Sequence, residues 1–140
     1  MTSTKIYNSL SLLSNKKRSE LINFISKNQY RSQISKEQIT YLINYALKEI
    51  SSFGGFIVTE ENNEEIHAVM VVNATGMSGY MPGHVVVANA FLPGKKKGSR
   101  KRLLQKILYQ TRGDAALITN RPILEENLPD KLGLKSLQLV

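Results

Sequence analysis

The stretch PGKKKGSRKRLLQKIL, residues 93–108, places six basic side chains in the eight positions 95–102 and interrupts them with Gly98. Basic residues at this spacing do one of three things: they grip the phosphates of a nucleic acid, they form a solvated patch, or they cradle the phosphates of a small ligand. Context favours the cradle. The segment follows the strand-like run HVVVANAFL (84–92) directly and opens an amphipathic helix whose inner face is Leu103, Leu104, Ile107 and Leu108. A strand that passes through a glycine-containing loop into a helix N-terminus gathers unpaired amides and the positive end of the helix dipole at one point, where an anion binds. Lys95, Lys96, Lys97, Gly98, Ser99, Arg100 and Lys101 are therefore the candidate anion-binding residues, with Gly98 allowing close backbone approach and Ser99 capping the helix. No aromatic side chain lies inside the run to stack a base, which argues against single-strand binding. Contact of the lysines with RNA is the competing reading.

The positive charge is local. Residues 95–106 hold seven of the nineteen Lys and Arg, against a formal net charge of +8, so twelve basic groups face eleven acidic ones elsewhere. A protein that coats nucleic acid or an anionic membrane spreads its charge over a face; this pattern points to one anion site. The absence of cysteine excludes disulfides, thiolate metal sites and thiol nucleophiles, and two histidines, His67 and His84, argue against a histidine metal centre. Ser78 in GMSGY lacks the nucleophile-elbow pattern, so serine hydrolase chemistry has no support. The carboxylates of EENNEE, residues 60–65, read as a solvated hairpin tip, because acid–base work requires burial that a turn seldom supplies. His67, on the same hairpin, reads as packing or surface. The first nineteen residues lack the apolar core and cleavage site of a signal peptide, and no apolar run is long enough to span a bilayer. The expectation is a cytoplasmic protein with no membrane partner.

These groups need a scaffold, and 140 residues with 41% apolar content suffice for one domain with a real core, residues 1–140. SKEQ, with Ser35 and Gln38 spaced for a capping box, opens a helix whose stripe is Ile39, Leu42, Ile43, Ala46, Leu47 and Ile50. A weaker helix over 16–27 turns Leu21, Ile22 and Ile25 inward. The pair Gly54-Gly55 closes the helical part. Beyond it the period becomes that of strands: 56–59 and 66–72 form a hairpin through Asn62 and Asn63, and 84–92 is a strand apolar on both faces, as in the middle of a covered sheet. DAALIT is a buried strand, EENLPDKLG a short helix stopped by Gly133, and LKSLQLV a last strand whose open edge offers pairing to a second copy in a homodimer. Helices, a hairpin, then alternating strands and helices define an α/β domain with a mixed central sheet flanked by helices.

In this order the chain resembles the GNAT family of N-acetyltransferases, whose pyrophosphate loop reads Arg/Gln-x-x-Gly-x-Gly/Ala after the central strand. KKKGSR stands at that place, and LPDKLGL, residues 128–134, is similar to the family's C-terminal Leu-Tyr-Glu-Lys-Leu-Gly-Phe. With the preceding hairpin the likeness covers roughly residue 35 onward. The resemblance implies a GNAT-like acyl-CoA N-acyltransferase fold, acetyl-CoA as acyl donor and an unidentified amine as acceptor. It implies backbone groups of Ala88 and Ala90 holding the pantetheine arm as an added strand would, and residues 95–101 holding the pyrophosphate. His84 precedes Lys95 by eleven residues, where some members carry a glutamate base, and is implied as the group that takes the amine proton. Arg100 departs from the pattern, standing where Gly or Ala is usual: turned outward its side chain leaves the loop open, turned inward it fills the space the cofactor needs. Pro129 stands where many members have the tyrosine that protonates the departing thiolate, and Ile123 where many have an asparagine near the cofactor. These departures sustain a second expectation, a degenerate GNAT fold that binds a ligand, nucleic acid or a protein partner without catalysis.

Overall fold

Capping chemistry written into the chain starts its first two helices. Ser14 accepts the amide of Lys17 at the head of α1 (Asn15–Asn28), and Ser35 and Gln38 form the reciprocal capping box at the head of α2 (Lys36–Ala46). The computed structural model describes residues 2–29, 34–48, 54–76, 79–119 and 135–138. Leu21 and Ile25 of α1 and Ile39, Ile43 and Ala46 of α2 are fully buried, each large one worth about 1.5–3 kcal/mol of transfer free energy.

The chain does not open with a helix. β1 (Thr2–Tyr7) precedes α1 and pairs antiparallel with β2 (Gly55–Asn62), Thr2 facing Asn62 and Tyr7 facing Ile57. Its Thr, Ile and Tyr suit a strand, but its partner lies half the chain away and no local signal announces it. Gly55 begins β2 because a Cβ there would fall 2.0 Å from the carbonyl oxygen of Val72. β2 and β3 (Glu65–Ala74) are longer than the sequence suggests, and their turn is the pair Asn63–Glu64, at φ 52 and 67, as a two-residue type I′ hairpin turn requires.

β4 (His84–Phe91), α3 (Lys96–Thr111), β5 (Ala115–Thr119) and β6 (Lys135–Gln138) follow. The six strands lie in the order β1-β2-β3-β4-β5-β6, antiparallel from β1 to β4 and parallel from β4 to β6. Helices cover both faces. α1 and α2 pack on Ile57, Val69, Val71, Ala88 and Ala90, and α3, through Leu103, Leu104 and Ile107, packs on Val58, Met70, Val72 and Val86. The mixed sheet flanked by helices is as expected. Ile50, Ser78, Ile123, the EENLPDKLG helix and the LPDKLGL motif with Pro129 lie outside the described residues.

Candidate functional site

β4 and β5 begin as a parallel pair and then part. His84, Val85 and Val86 face Ala115, Ala116 and Leu117, and no later residue of β4 pairs with β5. The cause is in β4 itself. Against β3, Val71 faces Ala88 and Val72 faces Val86, so Val87 is an inserted bulge residue, and a bulge bends its strand and raises the local twist. From Val87 onward the β5-side edge of β4 borders a wedge. Ala88 lies on this open stretch, whereas Ala90 is bridged to Gln29 at the end of α1. The Gln29 side chain is itself locked to Ile34, donating to its carbonyl and accepting from its amide, both at 2.9 Å.

At the mouth of the wedge the chain turns through Leu92-Pro93-Gly94-Lys95, closed by the Lys95 amide on the Leu92 carbonyl at 3.0 Å, with Gly94 at φ 80, the conformation a type II turn demands of its third residue. α3 starts at once. Lys95 is its N-cap, no side chain caps it, and its first turn holds no acid. The ladder begins with the Ser99 amide on the Lys95 carbonyl at 3.2 Å, so the amides of Lys96, Lys97 and Gly98 precede it and point out of the helix end. Three lysines at the positive end of a helix dipole, with no carboxylate among them, are electrostatically unfavourable until an anion arrives.

The structure corrects the role of Ser99. It does not cap α3 but lies within it, 1% exposed, and donates its hydroxyl to Glu60 Oε1 at 2.5 Å. Its amide being in the ladder, neither group is left for a ligand. Gly98 is likewise helical, and a Cβ there would meet Arg102 Nη1 at 3.0 Å, so the missing side chain makes room for that guanidinium. Arg102 clasps Glu60 from two nitrogens, Nε to Oε2 and Nη2 to Oε1, the latter at 3.0 Å, and its charge is withdrawn from the basic cluster. Lys95, Lys97 and Lys101 are exposed. Arg100 is 8% exposed and has no ion pair or hydrogen bond among the described residues; its side chain is turned inward.

Residues 60–65 were expected to form a solvated tip, yet Glu60 and Glu61 are 2% and 1% exposed. A strand covered by helices on both faces has no solvent side, so adjacent carboxylates are both enclosed, Glu60 beneath α3 and Glu61 toward α1. Glu61 accepts from Lys17 Nζ and the Tyr7 hydroxyl, both at 2.5 Å, and from Thr59 at 2.6 Å. Burial alone would raise both carboxyl pKa values, but Arg102 and Ser99 for Glu60, and Lys17, Thr59 and Tyr7 for Glu61, outweigh it and hold them below the usual range. Burial, then the bond to Glu61 and its charge, push the Tyr7 phenol above its ordinary value. The carboxylates therefore contribute stability that is complete above pH 4.5 and lost as pH falls below it. The Tyr7 contribution is complete below pH 10 and lost as pH rises further. Thermal unfolding followed from acid to alkaline pH is expected to show a falling limb on each side, the acid limb shallower in Glu61→Gln and the alkaline limb shallower in Tyr7→Phe. An unchanged acid limb in Glu61→Gln would contradict this assignment.

His84 stands at the paired end of β4, about 23 Å along the strand from Phe91 at ~3.3 Å per residue, so it is not brought beside the lysines. Its Nδ1 lies 3.3 Å from the Asp114 carbonyl and its ring 6.1 Å from that of Phe56. With Nδ1–H donating to that carbonyl, Nε2 is left as an acceptor. A separate cleft of about 470 Å³, lined by Lys5, Tyr7, Lys17, Glu20 and Glu64, opens at the β1 edge, remote from the wedge.

The crystal structure of the ribosomal-protein-S18-alanine N-acetyltransferase from Escherichia coli matches this fold with a TM-score of 0.62 over 95% of this chain and 77% of that enzyme's chain, at 12% sequence identity. The protein thus has the GNAT acyl-CoA N-acyltransferase fold, and the likeness extends into the N-terminal strand and helices that the sequence motifs did not reach. No protein-family model and no curated protein sequence matches the chain. Among the described residues no helix is long and apolar enough to cross a membrane.

The sequence pointed to the strand–helix junction but passed over Glu60, Glu61, Asn89 and the Gln29 bridge. Two acidic residues before an Asn-Glu pair were the available signal for a long hairpin, had the turn been placed one residue later. Nothing in the sequence marked Gln29 or Asn89.

Proposed function

We propose that the chain is a GNAT-family N-acyltransferase that takes an acetyl group from acetyl-CoA and gives it to an amine, acting in the cytoplasm as one domain over residues 1–140. The observation that carries this reading is the wedge: an unpaired edge of β4 leading to an uncapped, acid-free helix N-terminus with Lys95, Lys96 and Lys97. That donor set fits the cofactor, because outward amides and ammonium groups are the complement of a pyrophosphate. When bound, acyl-CoA supplies an activated thioester acyl group.

The chain's own groups then divide the work. The amides of Lys96, Lys97 and Gly98, with the lysine side chains, hold phosphate, and Lys101 adds attraction one turn further on. Arg100, a buried guanidinium without a partner, is paired by a phosphate that reaches it; unpaired burial is otherwise costly. The backbone of Ala88 receives the arm, and that of Ala90 does so if the Gln29 bridge yields. Nε2 of His84 takes the proton of the attacking amine, its ring oriented by Asp114.

Calorimetric titration with CoA tests the binding step, and CoA release across a panel of amines tests turnover. No binding at about 1 mM CoA, a free energy of only ~4 kcal/mol, would end the cofactor reading. In His84→Ala, kcat is expected to fall about a hundredfold with CoA affinity unchanged; full activity would remove His84 from the reaction. One observation favours a second reading, a GNAT fold that binds a ligand, RNA or a protein partner without catalysis: Gln29 already occupies part of the β4 edge. CoA binding without turnover on any amine would select it.

A further inference from the structure

Alternation along β4 sorts its side chains. Ala88 and Ala90 belong to the cluster under α1 and α2, while Val86 and Phe91 belong to the cluster under α3. Asn89, between the two alanines, is therefore on the α3 side, and its β3 neighbour is Met70, which is fully buried in that cluster. On its other side β5 has already parted from β4, so Asn89 borders the wedge. Its Oδ1 is shut off from solvent and has no hydrogen-bond partner.

A buried carbonyl oxygen without a donor is destabilising, and a strand position among Val, Ala and Phe would be filled at lower cost by an apolar side chain. The missing group is a donor in the space beside β4. The lysines at the wedge mouth do not meet the need, since they are exposed and belong to the helix end. An anion does not meet it either, since it brings acceptors. The arm of CoA carries two secondary amides, each with an N–H.

We propose that Asn89 is a ligand-binding residue of the wedge, its Oδ1 accepting a hydrogen bond from an amide N–H of the pantetheine arm. This rests on the cofactor reading above and goes beyond it. Backbone edges receive any extended chain, whereas a side-chain acceptor set between Ala88 and Ala90 selects an arm with an N–H at that depth.

Two probes separate the inference from the reading on which it rests. CoA carries the arm, and adenosine 3′,5′-bisphosphate carries the nucleotide phosphates without it. By calorimetry Asn89→Leu is expected to weaken CoA about fivefold, the value of one ordinary hydrogen bond, and to leave the bisphosphate unchanged. The ligand-free variant is expected to melt roughly 4 °C higher, because the unpaired acceptor is gone. Weaker binding with higher intrinsic stability is a combination that a purely structural role does not produce. Asn89→Ala, which also lacks the acceptor but adds no bulk, is expected to show the same selective loss for CoA and serves if the leucine variant fails to fold. Wild-type-like CoA affinity in both variants, or equal weakening of both probes, overturns the role of Asn89 while leaving the cofactor reading intact. If the wild type binds neither probe, the cofactor reading falls and Asn89 with it.

Discussion

Glu61→Ala is expected to lower folding stability by about 3–5 kcal/mol, the cost of breaking a buried charge pair from one side. The Glu61 side chain is fully enclosed, and its two oxygens serve Lys17, Tyr7 and Thr59 at 2.5–2.6 Å with Lys5 at 3.8 Å. These partners come from β1, α1 and β2, so this carboxylate ties the first two elements of the chain to the sheet. Removing it leaves two hydroxyls without an acceptor and an ammonium without its counter-charge. Lys17 is 16% exposed on its side chain and can move its charge toward solvent, which brings the loss nearer the lower figure. Against a typical total of about 5–15 kcal/mol, even that is severe. Urea unfolding measures it. Glu61→Gln keeps an acceptor for Tyr7 and Thr59 and is expected to lose less, and pairing Glu61→Leu with Lys17→Met is expected to recover part of the loss, since an apolar pair leaves no charge behind. A Glu61→Ala loss under about 1 kcal/mol, the range of an exposed ion pair, would contradict the enclosed network.

The double charge reversal Lys95→Glu/Lys97→Glu is expected to weaken CoA about a thousandfold while raising the melting temperature of the ligand-free protein. Both effects come from one cause. Lys95 and Lys97 are exposed cations at the positive end of α3, with no acid in the first turn, so they oppose the helix dipole in the free protein and are repaid only by a bound anion. Carboxylates there favour the dipole and repel the pyrophosphate. Each lost charge-assisted contact is worth about tenfold or more in affinity, and repulsion adds to it. Calorimetry of CoA binding at low and at raised salt measures the first effect, and the wild type is expected to lose affinity with salt while the variant, having little left, does not. Thermal unfolding without ligand measures the second. CoA binding unchanged in the variant would show that the helix end is not the phosphate site.

The local features of this fold were legible in the chain. Capping residues before α1 and α2, the apolar stripes of those helices, the inner face of α3 and the runs of β4 and β5 depend on contacts within a few residues, so composition and period reveal them. The junction of β4 with α3 was readable for the same reason, because a strand, Pro93-Gly94 and a helix start are consecutive. Tertiary structure decided what depends on distant partners. β1 is a strand because β2 lies beside it, and TSTKIY carries no sign of that partner. Glu60 and Glu61 are buried ion-pair centres and not a wet tip because helices from opposite ends of the chain cover both faces of β2; no window around residues 60–65 contains Lys17 or Arg102. Ser99 turned from cap to Glu60 donor on the same account. The wedge arises where the inserted Val87 bends β4 away from β5, a register between strands that their separate sequences do not express. The chain specifies its elements by near neighbours, while the chemistry at their junctions is set by which far residues the packing of the sheet brings within hydrogen-bond reach.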